Sequence, residues 1–325
     1  MPRPEGHQPV LVAEVVSGLA AAPGKHFIDG TAGNGGHARA LLSATAPDGQ
    51  VLAIDWDTNA VARLKLVASD PALGKRMLVA HGNFTTMEEV AKTLGFTPSG
   101  GCLLDLGLSS LQLDAPEAGF GFDAERLDFR FDATTEVPTA ADLVNRLPVG
   151  KLADVLKSYG EEPLARPIAS AIVRLREREP FRQGAQLAAV VAGVYRHHYG
   201  KPSRRHPATR TFQALRIAVN HELENLQTAL RSSLTLLPPG ARMAVISYHS
   251  LEDRIVKQFF REYARPCRCP SDAPRCTCGG PYLAAVTRKP VIPGDAEVAA
   301  NPRSRSAKLR IAQRLFNQIP LIKQT

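Results

Sequence analysis

The stretch "HFIDGTAGNGGHARALL", residues 26–42, constrains the fold more than any other part of this chain. An apolar run ends on Asp29, glycine then recurs at 30, 33, 35 and 36, and a helical pattern follows through Ala38, Leu41 and Leu42. A strand that turns through glycine straight into a helix is half of a βαβ unit, and repeated units of this kind build a parallel sheet. The rhythm does repeat. "VLAID" from Val51, "RMLVA" from Arg76 and "GCLLDLG" from Gly101 are short apolar runs flanked by polar or glycine residues, each with the pattern of a buried strand. The chain is therefore expected to be an α/β protein with a mostly parallel sheet.

After Gly107 the rhythm breaks. Residues 115–205 carry helix-like patterns such as "ADLVNRLPVGKLADVLKSYG" and "PLARPIASAIVRLRE" with little strand signal. An inserted helical domain is expected there, between a first part of the sheet domain over 1–114 and a second over 206–325. The spacing of Phe212, Leu215, Val219, Leu223, Leu226 and Leu230 predicts one long helix, followed by a fifth strand in "RMAVISYHS" and a last one at Leu309–Ile311. With 325 residues, 44% of them hydrophobic, there is material for more than one core. No apolar run approaches the roughly 20 residues that span a bilayer, and "MPRPEGHQPV" lacks the basic and apolar regions of a secretory signal. The expectation is a cytoplasmic protein without membrane contact.

Gly33-Asn34-Gly35-Gly36-His37-Ala38 satisfies the G-x-G-x-x-A pattern, and Asp55 ends the next strand at the distance where such folds place an acceptor for ribose hydroxyls. Glycine serves the sharp turn and the close approach of a ligand to the backbone. NAD and S-adenosylmethionine are both served by these features. Asp29 separates them, because a carboxylate at this strand end repels a pyrophosphate and attracts a sulfonium with its ammonium group; capping of the loop is its structural alternative. Phe84, just past the third strand, offers an aromatic face for an adenine or a core side chain. Asp105 ends the fourth strand, followed by Gly107 and Gln112, in the crevice where open parallel sheets bind ligands.

Together "HQPVL", "DGTAGNGGH", "LLDLGLSSLQLD", "HPATRTFQALRIAVN" and "SYHSLEDRIVK" resemble the bacterial 16S ribosomal RNA cytosine-N4 methyltransferases, from His7 to beyond Lys257, with "NPRSRSAKLRIAQR" near the C-terminus. The resemblance implies a class I, Rossmann-like, S-adenosylmethionine-dependent methyltransferase with a helical domain inserted in its sheet domain. Its substrate would be the N4 amine of a cytidine in 16S ribosomal RNA, free or in the small ribosomal subunit. It carries cofactor contacts onto Gly35, Gly36, His37, Asp55, Phe84, Asp105 and Gln112. Asp105 is also the candidate polar group at the target amine. Many amino-methyltransferases present Asn/Asp-Pro-Pro-aromatic here, whereas this chain has Asp105-Leu106-Gly107-Leu108, which leaves the base-stacking residue unidentified.

Forty Lys and Arg against 31 Asp and Glu, a net charge of +9, favour a polyanionic partner. From Phe181 to His221 there is no acidic residue, while Arg182, Arg196, Lys201, Arg204, Arg205, Arg210 and Arg216 all occur. "YGKPSRRHPATR" is loop-like, and Arg204, Arg205 and Arg210 are its candidate phosphate contacts, with a solvated loop as the alternative. The tail from Ala299, with Arg303, Arg305, Lys308, Arg310, Arg314 and Lys323, is a second basic segment. In "SYHSLEDR", Ser250 and Asp253 form an N-cap pair, which leaves Tyr248 and His249 as candidates to touch RNA or the target base. "CRCPSDAPRCTC" places Cys267, Cys269, Cys276 and Cys278 in two C-x-C pairs, the makings of a zinc knuckle or of a loop of free or locally oxidised thiols. Cys102 is expected in the core. Two other classes stay open: a nicotinamide-dependent oxidoreductase, and a non-catalytic zinc-containing RNA-binding protein.

Overall fold

The computed structural model describes residues 9–73, 75–108, 119–200, 206–270, 272–275 and 277–315. The chain divides into a sheet unit, residues 1–107 with 223–325, and a helical unit, residues 108–222. The helical unit thus runs past the boundary expected at 205.

Among the described residues, seven strands form the sheet: β1 (Phe27–Asp29), β2 (Val51–Asp55), β3 (Met77–His81), β4 (Gly101–Asp105), β5 (Arg242–Ser247), β6 (Leu283–Ala285) and β7 (Lys308–Arg314). Their order is β3-β2-β1-β4-β5-β7-β6. The first five are parallel, and β7 runs antiparallel to both β5 and β6. The apolar runs are continuous because both faces are covered, as parallel sheets require. Leu52, Ile54, Cys102 and Leu104 enter one apolar cluster with Leu226, Leu230, Val256 and Phe260. Val51, Ala53 and Leu103 enter the other with Val15, Leu41, Leu42 and Leu64. β6 has no counterpart in the sequence patterns, because "LAA" is three residues without a β-branched or aromatic side chain.

The order of strands decides where chemistry can occur. From β1 the chain steps outward to β2 and β3, then returns to the other side of β1 for β4, so adjacent connections part at the carboxyl ends of β1 and β4. Such a switch point opens the crevice that α/β sheets use for ligands. Asp29 pairs in register with Leu103, and β4 runs two residues further, to Asp105.

In the helical unit, Leu152, Leu156, Ile168, Ile172, Leu187, Val191, Phe212 and Leu215 share one core. They come from the helices Val149–Gly160, Ala165–Arg176, Gly184–Tyr199 and Thr209–Asn220. The single long helix expected through Phe212 and Leu230 is two helices, Thr209–Asn220 and Glu222–Leu236, separated by His221 in the left-handed region at φ 51°. Asn220 makes the break. Its Nδ2 donates to the Phe129 carbonyl at 2.7 Å and its Oδ1 accepts from the Phe131 amide at 2.9 Å, tying the helix end to a neighbouring loop. The apolar spacing runs on through the break because Phe212, Leu215 and Val219 serve the helical unit's core, while Leu226 and Leu230 serve the sheet's. Among the described residues, no helix is long and apolar enough to cross a membrane.

Candidate active site

At the end of β1, Asp29 is 1% exposed. Its Oδ1 accepts from the Thr31 amide at 3.2 Å, while Oδ2 is buried with no hydrogen-bond partner among the described residues. Burial pushes its carboxyl up to about 7, against the pull of His37 and of the Thr31 amide. Thr31 Oγ1 in turn accepts from the backbone N–H of Asp105 at 2.6 Å. "DGT" therefore fastens the end of β1 to the end of β4.

Gly33 and Gly35 both lie in the left-handed region, at φ 53° and 78°, which lets the loop fold back before the helix Gly36–Ala44. Among the described residues no side chain caps that helix, and the positive end of its dipole favours an anionic ligand group. A β-carbon on Gly30 would come within 2.7 Å of Leu104 Cδ2 and 3.2 Å of Phe84 Cβ, so Phe84 stands directly against the loop. From β2, Asp55 Oδ2 accepts from the Gly33 amide at 2.7 Å, and Oδ1 accepts from the Asp57 amide at 2.8 Å. Burial raises its pKa, opposed by those two amides. Each oxygen keeps a second lone pair for a ligand hydroxyl.

Asp105 is held from two sides. Tyr248, just past β5, donates its hydroxyl to Asp105 Oδ1 at 2.9 Å. His37 Nε2 stands 3.4 Å from Asp105 Oδ2. Burial and the neighbouring Asp105 drive the Tyr248 phenol well above its ordinary pKa, which keeps it a donor at every physiological pH. Burial of His37 works against its charged form, but Asp105 and Asp29 outweigh it, and its pKa lies above the usual histidine value.

The segment around Tyr248 is set by Glu252. Its Oε2 accepts from the Tyr248 amide at 2.8 Å, and its Oε1 lies 3.0 Å from His249 Nε2. His249 is the N-cap of the helix Ser250–Tyr263, with Glu252 completing a capping box. The expected cap pair of Ser250 and Asp253 is thereby corrected: an imidazole replaces the serine hydroxyl, and Asp253 instead pairs with Arg310 of β7 at 2.7 and 3.2 Å. The sequence alone does not give Thr31, Tyr248 and Glu252 these roles. Only Tyr248 carried a signal, as an aromatic residue at a strand end.

The other expected residues divide. Gln112, Arg204, Arg205, Cys276 and Lys323 lie outside the described residues. Arg210 is exposed, on the first turn of the helix Thr209–Asn220 rather than in a loop. Arg216 pairs with Glu222 at 2.8 Å. In the basic tail, Arg310 is buried against Asp253, and Arg314 is buried with its guanidinium donating to the carbonyls of Leu234, Tyr282 and Leu315. Those two arginines hold the sheet edge together and are not a surface for RNA. Cys102 is buried in β4, its thiol pushed up to about 12 by desolvation.

Residues 5–315 match the model of the MraW methylase family. The chain's relatives include proteins named ribosomal RNA small subunit methyltransferase H. That of Thermomicrobium roseum is 50% identical over 311 residues, covering 95% of this chain and 94% of its own. That of Geobacter sulfurreducens is 51% identical over 314 residues, covering 95% and 99%. Among solved structures, one titled a putative rRNA-methylase from Clostridium thermocellum aligns over 95% of this chain and 98% of its own, at 12% identity and a TM-score of 0.45. A family match spanning nearly the whole chain, with relatives near half identity over the same span, leaves one conclusion: the chain belongs to the MraW methylase family.

Proposed function

We propose that this protein transfers a methyl group from S-adenosylmethionine to the exocyclic N4 amine of a cytidine in small-subunit ribosomal RNA. The observation that carries the proposal is the convergence of Asp29, the glycine loop and Asp105 at the switch point, with Asp105 gripped by Tyr248 and His37. The residues fit the cofactor. Asp29 offers its cationic amino-acid end a buried carboxyl oxygen that has no partner among the described residues, and the N-terminus of the helix at Gly36 suits its carboxylate. Asp55 has lone pairs left for the ribose, and Phe84 stands where an adenine face would pack. When bound, S-adenosylmethionine supplies a methyl group on a sulfonium, an electrophile that needs an aligned nucleophile.

The chain's own residues supply that alignment. The N4 nitrogen of cytosine is conjugated with its ring and weakly nucleophilic, so an acceptor for its N–H turns the lone pair out of conjugation. Asp105 is that acceptor and takes the proton the amine sheds. Tyr248 and His37 are positioning residues, fixing the carboxyl group so that little reorganisation is needed. Asp29 also disfavours the nicotinamide reading, since its carboxylate would face a pyrophosphate. The substrate is small-subunit RNA, free or assembled, and the protein acts in the cytoplasm.

Nucleoside mapping of ribosomal RNA from cells with and without the gene tests the whole proposal. One N4-methylated cytidine of the small-subunit RNA should disappear and return on complementation; an unchanged methylation map would overturn it. Two narrower results are expected. Asp55→Ala should weaken S-adenosylmethionine binding by about 1–3 kcal/mol in calorimetry, since the loop loses its anchor and the ribose its acceptor. The triple variant Arg204→Ala, Arg205→Ala, Arg210→Ala should bind RNA less tightly and with a shallower salt dependence, cofactor affinity being retained. An unaltered salt slope returns that segment to the role of a solvated surface.

A further inference from the structure

Between the helix Ser250–Tyr263 and β6 the chain makes an excursion in which no described residue from 264 to 281 is buried. Segments this short do not hold a shape through an apolar core, and they ordinarily rely on disulfides or metals. Among the described residues, three thiols gather here. The Sγ atoms of Cys267, Cys269 and Cys278 all lie within 4.8 Å of one another. We propose that Cys267, Cys269 and Cys278 form a thiolate site for a soft divalent cation, zinc in a reducing compartment, and that this site gives the excursion its shape.

The spacing favours a shared cation over a disulfide. Cys267 and Cys278 have their sulfurs 3.9 Å apart. Tetrahedral zinc with bonds of about 2.3 Å places its sulfurs about 3.8 Å from one another, whereas a disulfide needs about 2.05 Å. The backbone is also turned toward the sulfurs. The Thr277 amide donates to Cys269 Sγ at 3.2 Å, and the Arg268 amide donates to Cys278 Sγ at the same distance. Amide donors of this kind stabilise a sulfur that carries negative charge. Several thiolates this close repel one another unless a cation lies among them.

Cationic and aromatic groups complete the setting. The Arg268 guanidinium lies 3.8 Å over the Tyr282 ring and 5.1 Å from that of Tyr263, and donates to the Cys278 carbonyl at 3.3 Å. The Tyr282 hydroxyl donates to the same carbonyl at 2.6 Å, while the Tyr282 amide donates to the Tyr263 carbonyl at 2.8 Å. The base of the excursion is thus stapled by protein groups, and Arg268 offsets the negative charge that thiolates leave on a zinc ion. Three thiols leave one position of the tetrahedron for a further ligand.

Cobalt is the probe of choice, because tetrahedral thiolate coordination gives it intense visible bands and a sulfur-to-metal charge-transfer band in the near ultraviolet. The full-length protein, reduced and loaded with Co²⁺, should show both, take up about one ion per chain, and release it to Zn²⁺. The double variant Cys269→Ser, Cys278→Ser should lose at least tenfold of the bound metal while still binding S-adenosylmethionine, which reports an intact sheet unit. The proposal fails if the reduced wild-type protein binds neither Co²⁺ nor Zn²⁺ above background, a result independent of how the variant folds. It fails equally if the folded double variant keeps its metal, or if peptide mapping of thiol-blocked protein finds a Cys267–Cys278 disulfide.

Discussion

Replacing Asp105 by asparagine is expected to slow methyl transfer by roughly 10²-fold or more, the scale of losing one well-placed electrostatic group in an active site. The carboxamide keeps one acceptor oxygen and almost the same shape. It cannot satisfy both neighbours, because the Tyr248 hydroxyl donates to Oδ1 and His37 Nε2 faces Oδ2, so an amide NH₂ on either side meets a donor or an imidazole held to pair with a carboxylate. The variant also lacks the charge that draws the amine proton away. RNA binding should persist. Asp105→Ala should abolish most transfer, and Tyr248→Phe should lower kcat by about tenfold with KM for S-adenosylmethionine little changed, as befits a positioning residue. Single-turnover assays with labelled cofactor, followed by nucleoside analysis, read all three. Wild-type turnover by the asparagine variant, or label on a ribose hydroxyl or ring carbon, would sink the assignment of Asp105.

The second large effect separates stability from binding at Asp29. Its carboxyl is raised from 3.8 to about 7, chiefly by burial. An unfolded chain ionises this group near its ordinary value, whereas the ligand-free folded protein holds the proton until about neutral pH. The group's contribution to stability is therefore complete below pH 4 and is lost as pH rises through 7, a cost on the order of 4 kcal/mol. Asp29→Asn cannot ionise. The melting temperature of the variant relative to wild type should accordingly climb between pH 4 and pH 8, with part of the gain offset by about 1–3 kcal/mol for an unsatisfied amide.

Binding should move in the opposite sense. A cationic ligand prefers the ionised carboxyl, so wild-type affinity for S-adenosylmethionine should rise with pH through neutrality, with proton release on binding at lower pH. The variant should bind at least tenfold more weakly at pH 8 and show a flatter profile. Scanning and titration calorimetry across this range measure both trends. Parallel pH profiles for the two proteins would remove Asp29 from the cofactor site.

Much of this site was legible in one dimension. β1 to β5 stood out as apolar runs because parallel strands buried on both faces are apolar at nearly every position. Asp29, Asp55 and Asp105 were conspicuous as acidic residues closing those runs, and the glycine loop because only glycine takes its positive φ values without strain. The helical insertion showed as loss of the strand rhythm.

What stayed hidden was pairing between distant parts of the chain. Tyr248 meets Asp105 across 143 positions, and Arg310 meets Asp253 across 57. Locally, Tyr248 shows only as an aromatic residue at a strand end and Arg310 only as a basic residue of the tail, and neither betrays its partner. His249 displaced Ser250 as the helix cap because Glu252 can grip its imidazole and two backbone amides at once. The break at His221 left the apolar period intact, since periodicity records that a side chain is buried and not which core buries it. Burial and turn geometry act over a few residues and leave their mark on the order of amino acids. Partnership across the fold is decided only when strands and helices pack and bring distant polar groups out of water together.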